Sequence, residues 1–194
     1  MTTIDSLCVY CGSSARGPES HAEAARRLGE LMATKNIRLV YGGGRVGLMG
    51  ILADAILSGG GEVIGVIPKF LDEYEVGHND VSRLEIVGSM HERKSRMAEL
   101  SDGFVVLPGG LGTMDETFEI LTWRQLGLHD KPIIIVDQDG YWKPAKDLIQ
   151  HIIDNRYARP ESAELVHFVD RVDDIFPVLA GLPEARIPVD PEKL

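Results

Sequence analysis

Three short turns in this sequence are rich in glycine and serine, and each separates a strand-like stretch from a helix-like one. Glycine lets backbone N–H groups approach an anion, and a helix N-terminus adds free N–H donors and partial positive charge. These features favour phosphate binding, although tight turns also serve helix–sheet packing alone. The turns are Gly12-Ser13-Ser14, Gly42-Gly43-Gly44-Arg45-Val46-Gly47 and Pro108-Gly109-Gly110-Leu111-Gly112-Thr113.

The second turn matches the dinucleotide pattern G-x-G-x-x-G through Gly42, Gly44 and Gly47. Dinucleotide folds also place an acidic residue about 20 positions further on, at the end of the next strand. Glu62 has that offset, but it begins its predicted strand. The ATP-binding pattern G-x-x-x-x-G-K-[ST] is absent from the sequence. The sequence therefore disfavours NAD binding and ATP hydrolysis of the Walker type.

Two cations lie on the apolar face of a predicted helix, residues 90–101. At about 100° per residue, Arg93 and Lys94 share a face with Met97 and Leu100. A cation that faces a core is costly unless it meets an anion. We therefore expect Arg93 to pair with an acid or a ligand, unless both side chains extend their charged ends into water.

Glu116 lies in the first turn of the helix that follows the third glycine turn. One interpretation makes it the partner of Thr113 in a capping box, S/T-x-x-E, which stabilises the helix start. The other places a carboxylate within one helical turn of a bound phosphate. The nearby acids Asp115 and Glu119 would then repel the ligand unless cations offset their charge.

Strand-like and helix-like stretches alternate along residues 1–181, which predicts one α/β domain with a mainly parallel sheet and helices on both faces. In such sheets, ligands bind beyond the carboxyl ends of the strands, so all three turns should crowd one edge. The segment 68–80 is predicted to be irregular, and the proline-containing residues 182–194 to form a loose tail. The predicted strands are residues 7–11, 38–41, 62–67, 83–87, 104–107, 132–136 and 167–169, and the predicted helices are residues 21–35, 47–57, 90–101, 113–126, 144–155 and 173–179.

Three helix starts match the capping-box pattern. They are Ser20 with Glu23, Ser89 with Glu92, and Thr113 with Glu116.

Composition narrows the function classes. A length of 194 residues suits one domain, which buries roughly 70% of its unfolded surface without disulfides or metals. The net charge of −10 disfavours general nucleic-acid binding but permits a small anion in a local pocket. No apolar run approaches the roughly 18 residues of a membrane helix, and the N-terminus lacks signal-peptide features. We therefore expect a cytoplasmic protein without membrane partners.

Cys8 and Cys11 have the C-x-x-C spacing of redox and zinc sites. They fall on a predicted buried strand, where residues three apart point to opposite faces. No second Cys/His pair is spaced to complete a zinc site, and the six histidines are scattered. We therefore expect structural cysteines and no metal.

The third turn and the cationic helix also resemble a known family. Residues 108–116 match the signature P-G-G-x-G-T-x-x-E of the Lonely Guy family, cytokinin riboside 5′-monophosphate phosphoribohydrolases once labelled lysine decarboxylases. Met90-His91-Glu92-Arg93-Lys94 resembles the family's M-x-x-R-K element. The turns at residues 11–14 and 41–50 are similar to its other motifs. The likeness extends from about residue 6 to about residue 155.

This resemblance implies a Rossmann-like fold and hydrolysis of the N-glycosidic bond of AMP or N6-modified AMP, with release of base and ribose 5-phosphate. It implies no cofactor and a homodimer with active sites near the subunit interface. Arg93 and Glu116 would be the catalytic pair. The substrate-binding residues that it implies are Gly109, Gly110, Gly112, Thr113, Lys94, Met90, Ser13, Ser14 and Gly43.

Two other functions compete with this one. A nucleotide or molybdenum-cofactor carrier of the same fold would use the same glycine turns, but it needs no acid beside the phosphate. A pyridoxal-phosphate lysine decarboxylase needs a Schiff-base lysine in a much larger scaffold, and Lys94 is the one candidate in the motifs.

Overall fold

The computed structural model describes residues 4–14, 16–75, 77–78 and 80–182. These residues contain one sheet of seven parallel strands in the order β4-β3-β2-β1-β5-β6-β7. Because β1 lies between β2 and β5, the strand order reverses there, as in a Rossmann-like fold. The predicted parallel sheet is therefore confirmed. The strands are β1 (Ser6–Tyr10), β2 (Arg38–Tyr41), β3 (Val63–Pro68), β4 (Arg83–Val87), β5 (Gly103–Val106), β6 (Ile133–Val136) and β7 (His167–Val169).

Helices cover both faces of the sheet, as the alternation predicts. One buried apolar cluster joins the sheet to the first, second and last helices, and another joins it to the fourth, fifth and sixth helices. The central strands are buried on both faces, so their sequences are apolar throughout rather than alternating. The helices are α1 (Glu19–Thr34), α2 (Leu48–Ser58), α3 (Lys69–Glu75), α4 (Met90–Glu99), α5 (Leu111–Gln125), α6 (Lys143–Asp154) and α7 (Ile175–Gly181).

The prediction of an irregular segment at residues 68–80 is wrong in part. Helix α3 begins directly after β3 and spans seven residues. A helix this short and this rich in charged residues shows no clear apolar repeat, so periodicity could not reveal it. The predicted tail, residues 182–194, lies outside the described residues except for Leu182.

Two of the three predicted capping boxes are absent. Ser89 does cap α4, where its Oγ accepts from the Glu92 N–H at 3.1 Å. Helix α1, however, begins before Ser20, whose hydroxyl bonds to another segment. Helix α5 begins two residues before Thr113, with Gly110 as its N-cap, because glycine adopts the turn without a side chain. Thr113 is therefore a buried residue of the first helical turn and not a cap.

Both cysteines are free thiols in the buried interior. Cys8 packs in the cluster that includes α4 and α5, and Cys11 packs in the cluster that includes α1 and α2. Their predicted placement on opposite faces of the sheet is thus confirmed.

None of the described helices combines the length and the apolar character that crossing a membrane requires.

Candidate active site

The three glycine turns meet at the carboxyl edge of the sheet, where the strand order reverses. The Gly12 N–H donates to the carbonyl oxygen of Pro108 at 3.0 Å, which joins the first turn to the third. Gly47 has a positive φ of 71°, and a Cβ there would come within 2.5 Å of Ser13 and Ser14. The second turn therefore needs glycine both for its backbone conformation and for its close approach to the first turn.

A cavity of about 310 Å³ lies among these turns, α4 and α5. Its volume is at the lower end of the range of small-molecule sites, roughly 300–1,000 Å³. One wall carries the backbone of the third turn, and another is built from methionine and leucine side chains. The lining residues are Val9, Tyr10, Cys11, Gly12, Ser13, Gly42, Met49, Leu71, Met90, Arg93, Met97, Gly110, Leu111, Gly112, Thr113 and Glu116.

Arg93 is held inside the protein by backbone carbonyl groups. Its Nε donates to the Val66 oxygen at 3.2 Å, and its Nη2 donates to the Gly42 oxygen at 3.1 Å. The Nη1 atom lies 3.9 Å from Glu116 Oε1. The guanidinium is thus desolvated, aimed into the cavity and paired with an acid, so the alternative that it extends into water is wrong. A Cβ on Gly42 would overlap the Arg93 guanidinium, which explains the glycine there.

Glu116 is the acidic side chain of the cavity and is 9% exposed. Burial raises the pKa of its carboxyl to about 7, because the attraction of Arg93 offsets only part of the cost of removing the charge from water. Since α5 begins before Thr113, Glu116 is not the partner of a capping residue. A carboxyl group that titrates near neutral pH is suited to accept or donate a proton in catalysis.

Lys94 lies outside the cavity lining. Its Nζ pairs with Asp115 Oδ2 at 3.1 Å and with Glu119 Oε2 at 3.0 Å. Although burial opposes the charged form, the hydrogen bonds and charges of these two acids raise the pKa of the ammonium group. Lys94 therefore offsets part of the negative charge of these two acids, neither of which lies in the cavity lining.

The start of α5 presents backbone donors to the cavity. The Met114 N–H makes the first helical bond, to the Gly110 oxygen at 3.0 Å. The N–H groups of residues 111–113 consequently have no acceptor within the helix, as at any helix start. All three of these residues and Gly110 line the cavity. This wall has the donors and the dipole that an anion requires.

The structure brings most of the predicted site residues together. Ser13, Met90, Arg93, Glu116 and three residues of the third turn line one cavity. Four others are not among the lining residues, although each directly precedes or follows one of them in the sequence: Gly43, Lys94, Gly109 and Ser14.

Sequence reasoning missed the apolar wall of the cavity. Met49 falls within the second family-like motif and could have been found there. Met97 was assigned only to the apolar face of α4. Leu71 had no detectable signal, because its helix was not predicted.

A larger, more open depression of about 650 Å³ lies between α1 and α2. It contains none of the glycine turns and none of the predicted site residues. The smaller cavity is therefore the candidate site.

Within the described part of the chain, no group of three or more His, Cys, Asp or Glu residues is placed to hold a metal ion.

Comparison with known proteins decides the family. A family model described as "Possible lysine decarboxylase" matches residues 49–179. A cytokinin riboside 5′-monophosphate phosphoribohydrolase from Arabidopsis thaliana is 42% identical over 160 residues, which cover 82% of this chain and 75% of that protein. The enzyme of the same name from Rhodococcoides fascians is 42% identical over 165 residues, or 84% of this chain and 83% of that one. The chain belongs to the Lonely Guy family.

The matched segment of this Lonely Guy chain covers a smaller share of the length of some relatives. A probable enzyme of the same name from Oryza sativa subsp. japonica is 50% identical over 138 residues, or 71% of this chain and 62% of that protein. The matched part thus spans less than two thirds of the length of that rice relative. Another rice relative, 43% identical, is covered to 66%.

Solved structures support the fold. The molybdenum cofactor binding protein of Rippkaea orientalis superposes with a TM-score of 0.69 at 19% identity, over 93% of this chain and 98% of that one. The molybdenum cofactor carrier protein of Chlamydomonas reinhardtii gives a TM-score of 0.70 at 22% identity, over 92% and 97%. The Lonely Guy chain therefore shares its Rossmann-like architecture with these carriers.

Proposed function

We propose that this protein hydrolyses the N-glycosidic bond of AMP and of N6-modified nucleoside 5′-monophosphates, and releases the free base and ribose 5-phosphate. The observation that carries the proposal is the buried Glu116 carboxyl beside Arg93, in a cavity that the glycine-rich start of α5 also lines. The names of the relatives that cover most of the chain support the same reaction.

In the proposed site, backbone N–H groups bind the phosphate and side chains contact the base. The free N–H groups at residues 111–113 bind the 5′-phosphate, and the charge of the helix start favours its negative form. Ser13 adds a hydroxyl to the same cavity. The base meets the apolar wall, where Met49 and Met90 offer flexible, polarisable contacts to an aromatic ring.

The chemistry requires a carboxylate near the sugar. As the C1′–N9 bond breaks, its electron pair leaves with the base and positive charge develops on the ribose. Ionised Glu116 stabilises that charge. It also takes a proton from the water whose oxygen bonds to C1′, or it attacks C1′ directly and water then hydrolyses the resulting ester. In either route one water supplies the hydroxyl group on C1′ and the proton that N9 acquires. Arg93 helps to keep Glu116 ionised and stabilises negative charge on the leaving base.

A requirement for the 5′-phosphate tests the proposal. We expect kcat/KM for adenosine to be at least roughly a hundredfold below that for AMP, because the nucleoside leaves the N–H groups at the start of α5 without their anion. Release of adenine measured by chromatography gives both values. Equal turnover of the two substrates would contradict the assignment of a phosphate site.

The pH dependence provides a second test. Since the Glu116 carboxyl has a pKa of about 7 and must be ionised, kcat/KM should rise with pH below about 7 and level off above it. The second ionisation of a phosphate group, near pH 6, could produce a similar limb. The residual activity of Glu116→Gln is the control. Its pH profile should keep any change caused by ionisation of the phosphate, and it should lose the change near pH 7 that is caused by Glu116. An unchanged profile in that variant would contradict the role of Glu116.

The historical lysine decarboxylase label does not fit this site. A Schiff-base lysine must react as a neutral amine in the cavity. Lys94 lies outside the lining, is paired with Asp115 and Glu119, and has a raised pKa because these contacts outweigh burial. Among the described residues, the cavity lining contains no lysine that could hold pyridoxal phosphate.

A homodimer and a cytoplasmic location complete the proposal. The family resemblance implies the dimer. Leu111 supports it, since this side chain lies at the cavity and is 89% exposed in the single chain. An apolar residue in that position is suited to contact with a second subunit.

A further inference from the structure

The segment between β6 and α6 lies against the third glycine turn. It begins with a 3-10 turn, Gln138–Gly140, in which Asp139 has a positive φ of 57°. The Ser20 hydroxyl donates to Asp139 Oδ2 at 2.6 Å and so ties this segment to the start of α1. The Ser20–Asp139 hydrogen bond therefore holds this segment in place without any contribution from the next residue, Tyr141.

That following residue, Tyr141, reaches the glycine turn. Its hydroxyl donates to the carbonyl oxygen of Gly109. Its ring packs edge-on against His21, with centroids 5.2 Å apart, and against Trp142 at 4.9 Å. Both neighbouring rings are buried, whereas Tyr141 is 42% exposed, so these contacts hold only part of its ring.

Gly109 directly precedes the residues that supply the phosphate donors. Gly109 is not among the residues that line the cavity, whereas the next four residues are. A carbonyl oxygen that turned toward the cavity would place partial negative charge beside a bound anion. In this structure the oxygen instead accepts a hydrogen bond from Tyr141, which is not among the residues that line the cavity.

We propose that Tyr141 is a positioning residue for the phosphate site. By holding the Gly109 carbonyl, it fixes the peptide orientation of the third turn so that the N–H groups at residues 111–113 face the cavity. Tyr141 acts through the turn and not through contact with the substrate. This inference rests on the proposed function, because it assumes that a phosphate binds there.

Tyr141→Phe tests this role, since it removes the hydroxyl and keeps the ring contacts with His21 and Trp142. The matched control is Tyr157→Phe, because the Tyr157 side chain is 89% exposed and far from the turn in sequence. We expect the Kd for ribose 5-phosphate and the KM for AMP to rise about fivefold in Tyr141→Phe, the usual size for one hydrogen bond. We expect kcat to stay within about twofold, because ground and transition states lose the same binding.

Three measurements separate this role from a structural one. Calorimetric titration gives the Kd of ribose 5-phosphate, a parallel titration gives that of adenine, and thermal unfolding reports stability. Weaker binding of ribose 5-phosphate with unchanged adenine binding and an unchanged Tm would support the inference. Wild-type affinity for ribose 5-phosphate in Tyr141→Phe, or an equal loss for adenine, would overturn it and leave the proposed function intact. A wild-type protein that neither releases adenine from AMP nor binds ribose 5-phosphate would overturn both.

Discussion

Glu116→Gln should lower kcat for AMP at least about a hundredfold, the usual effect of removing one acid–base group. Glutamine has nearly the same size and shape, but it carries no negative charge and accepts no proton. Because Glu116 does not cap α5, the substitution removes no helix-start interaction. The loss should therefore be confined to catalysis. Initial rates of adenine release at saturating AMP provide the measurement.

The same variant should be more stable than the wild type at alkaline pH. The pKa of Glu116 is raised by burial from about 4.5 to about 7, so the folded protein binds the proton more tightly than the unfolded chain. Wild-type stability therefore falls as pH rises from about 4.5 to 7, by up to about 3 kcal/mol. Glutamine mimics the neutral acid and does not incur this cost.

Denaturant unfolding at pH 5 and pH 8 tests whether ionisation of Glu116 lowers the stability of the folded protein. The wild type and the variant should unfold at similar denaturant concentrations at pH 5, and the variant should be the more stable at pH 8. Glu99→Gln is the matched control, since Glu99 is an exposed acid of α4 that pairs with Arg96 away from the cavity. It should change neither rate nor pH dependence. A well-folded Glu116→Gln protein with nearly full activity would contradict the catalytic role, whereas a wild-type protein that binds AMP without releasing adenine would favour a carrier of nucleotides or of the molybdenum cofactor.

Arg93→Lys should lose at least roughly a hundredfold in turnover, although it keeps the positive charge. The guanidinium directs separate nitrogens to the carbonyls of Val66 and Gly42 and toward Glu116. A single ammonium nitrogen on a flexible chain cannot reproduce this planar set of donors. The conservative control is Arg96→Lys, because Arg96 lies one turn along α4 and pairs with Glu85 away from the cavity. That control should retain activity within about twofold.

The pH dependence of Arg93→Ala separates the effect of the positive charge of Arg93 from that of its donor geometry. Since Arg93 lowers the pKa of Glu116, its removal should move the acid limb of kcat/KM to higher pH. Arg93→Lys should leave that limb closer to the wild-type position. Nearly normal turnover in the lysine variant would show that only a positive charge is needed there, against the geometric argument.

Much of the site could be predicted from sequence because its signals are local. The glycine turns follow strands in a parallel α/β pattern, and parallel strands end at one edge, so their convergence follows from topology alone. The helical spacing of Arg93 with Met97 likewise predicts an inward cation, because a helix repeats its faces every 3.6 residues. The seven strands and most helices were located for the same reason, within one or two residues at most boundaries.

Other features depend on contacts that no local pattern encodes. The Thr113–Glu116 spacing matches a capping box, but the helix begins at Leu111. Lys94 shares a helix face with Arg93, and yet its ammonium is taken by two acids of α5 outside the cavity. Which of two neighbouring cations enters the site was decided by the packing of α4 against α5.

The sequence by itself determined the fold class and the edge where the turns meet, and it predicted Arg93 and Glu116 as the arginine and the acid of the site. Only the tertiary structure decided the protonation behaviour of Glu116 and the bond from Tyr141 to Gly109. The first depends on how completely water is excluded around a carboxylate, and that is a property of all the surrounding elements together. The second joins residues 32 positions apart, and their meeting is produced by the pairing of β5 with β6 and not by any repeat in the chain.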